Sequence, residues 1–174
     1  MITHLDGCCG VPNGLGWSPD DQTMYWIDSA DATIYAFDFD ADHGRISNKR
    51  VFANFKIPGS TQVPNGLCVD VDGCTWTAMY QGGRVIRLSP QGQIILEIRV
   101  PVWRVTCLCF GGEEMDELFV TSGELDFKDK SHRLQYAQDG NVFRLKLPGV
   151  KGIPKNRFGQ LGGLSQDFAF LRST

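Results

Sequence analysis

The tetrapeptide Pro12-Asn13-Gly14-Leu15 returns 52 positions further on as Pro64-Asn65-Gly66-Leu67. Pro-Asn-Gly by itself is a common turn, because Asn and Gly both tolerate positive φ. Its recurrence at one point of a repeat marks the two asparagines as candidates for chemistry. An Asn offers a carbonyl oxygen to a cation, yet it carries no charge and accepts no proton. Other groupings of reactive residue types fail simple tests. Acids alternate at Asp38, Asp40 and Asp42 in the manner of a calcium loop, but Gly44 comes one position late and Lys49 stands where a bidentate carboxylate is needed. A solvated hairpin loop is expected there. His4, His43 and His132 lie far apart, and no G-x-S-x-G, H-E-x-x-H or P-loop pattern occurs. The six cysteines, Cys8, Cys9, Cys68, Cys74, Cys107 and Cys109, form no C-x-x-C pair and are expected to be buried, reduced thiols.

The elements that must position Asn13 and Asn65 are short strands. With 174 residues, 42% of them hydrophobic, and a net charge of −3, the chain reads as one globular domain. It has no basic run suited to a phosphate backbone and no apolar stretch of about 18 residues, so neither nucleic acid nor membrane is an expected partner. Residues 1–10 lack the basic and apolar regions of a secretory signal, and a cytoplasmic compartment is expected. Twenty glycines and eight prolines cut the sequence into short apolar or alternating runs with almost no helical period. Strands are predicted at 13–18, 23–28, 33–39, 51–55, 66–71, 75–80, 84–88, 94–100, 105–110, 117–121 and 141–147.

These strands repeat. Residues 13–29 align without a gap on 106–122, pairing Leu15 with Leu108, Trp17 with Phe110, Trp26 with Phe119 and Ile27 with Val120, and placing Thr106 where Asn13 stands. A unit of roughly 40–50 residues and about four antiparallel strands is the pattern of a β-propeller blade. The expected fold class is therefore all-β, a partial propeller of about three blades at 11–55, 63–100 and 105–147. A lead-in at 1–10 and an irregular tail at 159–174 flank it, and the polar stretch 123–140 is expected to form a rim loop. Trp17, Trp26, Trp76 and Phe110 are expected to pack between blades. Because propellers close with about 4–8 blades, such an arc has two open faces, through which two copies could pair as a homodimer.

The motifs PNGLGWSPDDQTMYWIDS, IYAFDFDADHGRISNKRVF, VPNGLCVDVDG, GGRVIRLSPQGQ, RVTCLCFGGEEMDELFVTS and GNVFRLKLPGVKGIP follow one another across residues 11–158. In this order they resemble the regucalcin family, which includes senescence marker protein, gluconolactonase and luciferin-regenerating-enzyme-like proteins. The resemblance covers the C-terminal half of that family's six-bladed propeller. It implies a divalent metal at the channel mouth, Ca²⁺ or Zn²⁺ with Mg²⁺ or Mn²⁺ as further candidates, and hydrolysis of a small-molecule sugar lactone. By motif, Asn13 matches the family's Asn metal ligand. Asn65 falls where the family usually has an Asp that ligates the metal and serves as general base. The family's Glu ligand and its substrate-binding Arg and Asn belong to N-terminal blades with no counterpart here.

Equivalent positions on the first strand of each blade face the axis, so Asn13, Asn65 and Thr106 are expected to converge. The expected activity is that of a metal-dependent lactonase, a carboxylic ester hydrolase, weakened by Asn65 in place of a carboxylate. The alternative is a non-catalytic metal-binding or interaction fragment of the same fold.

Overall fold

The computed structural model describes residues 10–124 and 137–154, and among them every regular element is a β-strand. Strands β1 (Pro12–Trp17), β2 (Thr23–Asp28), β3 (Thr33–Asp40) and β4 (Arg45–Asn54) form a first antiparallel sheet in that order. Strands β5 (Val63–Val69), β6 (Thr75–Tyr80), β7 (Arg84–Leu88) and β8 (Ile94–Arg99) form a second of the same order. Strands β9 (Val105–Gly111), β10 (Glu117–Ser122) and β11 (Val142–Lys146) form a third. All eleven predicted strands are present. The largest departure is β4, which begins at Arg45 rather than at 51. Its burial pattern is mostly exposed, so the charged residues from 45 to 50 hid a strand that has little apolar surface to bury.

The sheets stack face to face, and the middle one shows why. In β6 the five residues from Thr75 to Met79 are all buried, and successive side chains point to opposite faces. Met79 joins Ile86 and Leu88 in a core shared with Tyr25, Ile27, Ile34 and Ala36 of the first sheet. Trp76 and Ala78 join Val85 in a second core shared with Leu108, Phe110, Leu118 and Val120 of the third. Trp76 is fully buried and meets Phe110 edge-on at 5.7 Å between ring centroids, the inter-sheet packing its position predicts. Trp17 and Trp26 behave otherwise. Their ring partners, Phe39 and Phe37, belong to their own sheet, and Lys49 lies over the Trp26 and Phe37 rings.

Strands β1, β5 and β9 lie innermost, and glycine sets their spacing. A Cβ on Gly16 would stand 2.5 Å from Leu67 Cδ1, and one on Gly66 would stand 2.9 Å from Cys107 Cα. Of the described cysteines only Cys74 is buried, whereas Cys68 and Cys109 are half-buried and Cys107 is exposed. The expectation of uniformly buried thiols is corrected on this point. Cys68 and Cys109 line the inner surface that β5 and β9 present to a cavity, which a reading of apolar runs takes for core. The hairpin expected at 38–44 is solvated as predicted, with His43 Nδ1 2.8 Å from Asp40. Cys8, Cys9, His4, His132, the tail at 159–174 and most of the stretch at 123–140 lie outside the described residues.

One buried acid ties the middle sheet together. Asp70, just after β5, is fully buried and accepts hydrogen bonds from the backbone N–H groups of Asp72 and Cys74, from Trp76 Nε1 at 2.9 Å and from Arg87 Nε at 2.9 Å. The chain after β11 returns to the same corner. Val71 N–H donates to the Lys151 carbonyl, and Gly152 N–H to the Met115 carbonyl, which fastens the third sheet to the second. Asp70→Ala leaves the Arg87 guanidinium and the Trp76 indole N–H without their buried acceptor. The expected loss is about 3–5 kcal/mol of unfolding free energy, checked by urea titration of both proteins.

Candidate functional site

Strand β1 pairs with β2 out of register between Pro12 and Leu15, and β5 pairs with β6 out of register between Pro64 and Leu67. Each irregularity falls on an Asn-Gly pair. A bulge of this kind re-aims a side chain out of the ladder, and Gly14, at φ +78°, adopts a conformation that an L side chain rarely takes. The two bulges lie side by side on neighbouring strands. Asn13 Nδ2 donates a hydrogen bond to Asn65 Oδ1 across the two sheets. The structure therefore brings together the two asparagines that the repeat singled out. Thr106 has a different partner: its hydroxyl shares a 2.8 Å hydrogen bond with Thr121 Oγ1 inside the third sheet.

Two residues that the repeat does not single out hold the pair in place. Asp28 is buried and accepts hydrogen bonds from the backbone N–H groups of Gly10, Val11 and Ala30 at 3.0–3.1 Å, which fixes the entry of the chain into β1 just ahead of Asn13. The neighbouring Ser29 is also buried, and its hydroxyl donates to the Pro64 carbonyl at 2.7 Å, beside Asn65. The signal for both was the run Tyr25-Trp26-Ile27-Asp28-Ser29, where two polar residues close an apolar strand. The aligned third-repeat residues are Thr121 and Ser122, and Ser122 Oγ again donates to a carbonyl, that of Asn141, at 2.8 Å. Close to the start of β9, the Arg104 guanidinium lies over the Tyr80 ring, 5.6 Å from its centroid.

Along the same inner strands, a cavity of about 470 Å³ is lined by Leu15 and Trp17 of β1, Leu67 and Val69 of β5, and Leu108 and Phe110 of β9. Neither Asn13 nor Asn65 lines it. Its lining is mainly apolar, and the asparagine pair lies beyond it, toward the N-terminal ends of β1 and β5.

The Asn pair fits a hard cation in kind. Amide carbonyl oxygens are the donors that such ions take alongside carboxylates, and a carbonyl oxygen keeps a second lone pair after accepting one hydrogen bond. The set is small and uncharged. Among the described residues no group of three or more His, Cys, Asp and Glu side chains is placed to hold a metal ion. Nor, among them, is any helix long and apolar enough to cross a membrane.

Three innermost strands, repeated Asn-Gly bulges and the motifs around them place the chain in a known family. Residues 2–124 match the model of the SMP-30/Gluconolactonase/LRE-like region, and the chain belongs to that family. Regucalcin from Bos taurus is 42% identical over 145 residues, which cover 83% of this chain and 48% of that protein. Among solved structures, a luciferin-regenerating enzyme superposes with a TM-score of 0.74 at 36% identity, over 86% of this chain and 49% of its own. Regucalcin from Agrobacterium tumefaciens, described as a calcium-binding protein, gives 0.75 at 29% identity, over 82% and 48%. The chain thus spans about half the length of the relatives it matches.

Asp28 links the site to acid stability. Burial alone would raise its pKa, but the N–H groups of Val11, Gly10 and Ala30 outweigh burial and hold it below the ordinary 3.8. A carboxyl with a depressed folded value stabilises the fold above its unfolded value, and that contribution disappears as pH falls from 3.8 through the folded value. Asp28→Asn is expected to lower the melting temperature at neutral pH, with the gap to wild type narrowing in acid. Melting curves across this range check it, and a constant gap contradicts it.

Proposed function

We propose that this chain is the C-terminal, three-blade half of a six-bladed propeller that hydrolyses sugar lactones, with Asn13 and Asn65 at the channel mouth. The observation that carries the reading is the contact between the two asparagines, each on a bulge at the same point of its repeat. Family membership supports the activity class. In this reading Asn13 and Asn65 contribute amide oxygens to a divalent cation, Ca²⁺ or Zn²⁺, and a carboxylate ligand comes from outside the described residues. Such a cation, when bound, supplies Lewis-acid polarisation of the lactone carbonyl.

The chain's own residues supply position. Asp28 fixes the start of β1 and Ser29 fixes Pro64, so both amides are held before any ligand arrives. Strands β1, β5 and β9 also carry the mainly apolar cavity lining next to the pair. What the pair lacks is a base, because an amide at position 65 accepts no proton. The remaining half of the propeller, or a second copy of this chain, would pack on the faces of the first and third sheets turned away from the middle one.

A second reading, a propeller fragment that binds metal or a partner without turnover, is favoured by one observation. The Asn65 carbonyl is already engaged by the Asn13 amide, and the contact is neutral. A chimera separates the two readings, with the N-terminal half of a regucalcin joined to this chain. Hydrolysis of glucono-lactone is expected to be slow with Asn65 and to rise by roughly 10²–10⁴-fold with Asn65→Asp, the contribution of a positioned general base. Asn65→Ala is expected to stay inactive. Equal rates with Asn and Asp at 65 exclude that position as the base, and a chimera that folds and binds Ca²⁺ but stays inactive with Asp favours the second reading.

A further inference from the structure

Both candidate ligands are asparagines followed by glycine, and Asn65 stands in a setting that favours one particular covalent change. Gly66 has no side chain to shield the Asn65 carbonyl carbon Cγ from its own backbone nitrogen. Asn65 and Gly66 both fall in the register gap of β5, where neither has a cross-strand partner residue in β6, and the extra residue of such a bulge is released from the ladder. The Asn65 side chain is half-buried, so water reaches it and ammonia can leave. Asn13 Nδ2 donates to Asn65 Oδ1, which draws electron density from Cγ and makes it a better electrophile. The reverse hydrogen bond, to the Asn13 carbonyl, does not accompany it among the described contacts.

We propose that Asn65 is a self-modification site, at which the chain converts its own amide into a carboxylate through a cyclic imide with Gly66. The Gly66 nitrogen, giving its proton to water, bonds to Asn65 Cγ. The Cγ–Nδ2 bond then breaks and the amide leaves as ammonia with one added proton. Water next opens the ring. Cleavage of the new N–Cγ bond restores the ordinary backbone and leaves aspartate at 65, whereas cleavage of the original peptide C–N bond leaves the isoaspartyl isomer. The net change is one water in and one ammonia out, with no oxidant, reductant or co-reactant. Either product replaces a neutral oxygen donor by a charged one beside Asn13.

Two internal comparisons sharpen the assignment. Asn48, Asn54 and Asn141 are followed by Lys, Phe and Val, whose side chains hinder the same ring closure. Asn13 precedes Gly14, and both glycines are closely packed, Gly14 against the Leu67 backbone and Gly66 against Cys107; what separates the two asparagines is that Asn13 donates the hydrogen bond and Asn65 accepts it. Position 65 is therefore expected to change ahead of position 13. That the new carboxylate then serves as a base rests on the lactonase reading above. The modification itself does not.

The test is peptide mapping by mass spectrometry of the full chain, freshly purified and after incubation at mildly alkaline pH in ¹⁸O-labelled water. The expected result is progressive ¹⁸O incorporation at residue 65, resolved into aspartyl and isoaspartyl peptides, with the peptides carrying Asn48, Asn54 and Asn141 unchanged. Asn13→Ala, which removes the polarising donor, is expected to slow conversion several-fold, and Asn65→Gln, which keeps an amide but disfavours the ring, to abolish it. The aged wild type is further expected to gain a Ca²⁺-dependent rise in melting temperature that Asn65→Gln lacks. Persistence of the amide at 65 in the folded chain, while the urea-unfolded chain converts, overturns the proposal without touching the lactonase reading. Conversion at 65 together with an inactive Asn65→Asp chimera overturns the lactonase reading alone.

Discussion

A four-stranded sheet with two apolar faces cannot bury both of them by itself, and the middle sheet of this chain has two such faces. Trp76 and Ala78 point one way, Thr77 and Met79 the other, and all are sealed. Fully burying a side chain of this kind contributes about 1.5–3 kcal/mol. The energetic demand is met only when the first and third sheets lie against opposite sides. Everything else about the architecture follows from that stacking: the fully apolar β6, the exposed β4 and β8, and the innermost row of β1, β5 and β9. The Asp70 cluster joins the turn after β5 to β6 and β7 through one carboxylate, so the sheet that carries both cores is also cross-linked by a buried acid.

Face-to-face stacking would still leave the asparagines apart if the inner strands stood at the spacing side chains impose. Gly14, Gly16 and Gly66 remove that spacing, and each occupies a place where a Cβ would meet a neighbouring strand at or below 3.0 Å. The approach of the two asparagines thus depends on missing atoms as much as on present ones. The bulges convert close backbone approach into close side-chain approach, since the irregular step of each ladder turns Asn13 and Asn65 toward one another. Asp28 and Ser29 then carry rigidity from the first sheet to both bulges, by hydrogen bonds to backbone groups that no substitution at the bulge itself would remove.

Much of this was legible in the amino-acid order, for a definite reason. Strands with a buried face alternate with period two, and glycine turns separate them, so β2, β6 and β7 could be placed to the residue. Repetition of Pro-Asn-Gly-Leu singles out the two asparagines that the structure brings into contact. The failures have physical causes too. β4 buries little and so carries no apolar alternation, which left its first six residues unread. Trp17 repeats in sequence with Phe110, which does pack between sheets, but Trp17 and Trp26 lie on the first sheet, whose outer face meets no described sheet, and they pack on Phe39 and Phe37 instead. Asp28 and Ser29 leave only a faint signal, two polar residues closing an apolar strand, because their partners are backbone groups. Thr106 was grouped with the asparagines by alignment, yet its nearest hydroxyl partner, Thr121, lies on the next strand of its own sheet.

The character of the site turns on the identity of one side-chain atom. With an amide at 65, the Asn13 amide donates one hydrogen bond to the Asn65 carbonyl, a neutral contact that requires no counter-charge at a half-buried position. With a carboxylate at 65, the same Asn13 N–H becomes a charge-assisted donor, a bond roughly twice as strong as a neutral one. The Asn13 amide would be held in the same orientation, with its own carbonyl turned away from residue 65. Two oxygens, one charged and one neutral, would then stand on adjacent inner strands, each with a free lone pair. That is the start of a cation site in a place where the neutral pair offers only dipoles. The scaffold is therefore indifferent to which of the two groups stands at 65, since the glycine spacing, the bulges and the Asp28 and Ser29 anchors involve none of its side-chain atoms. A fold that builds the geometry through backbone contacts leaves the chemistry to be set by a single functional group.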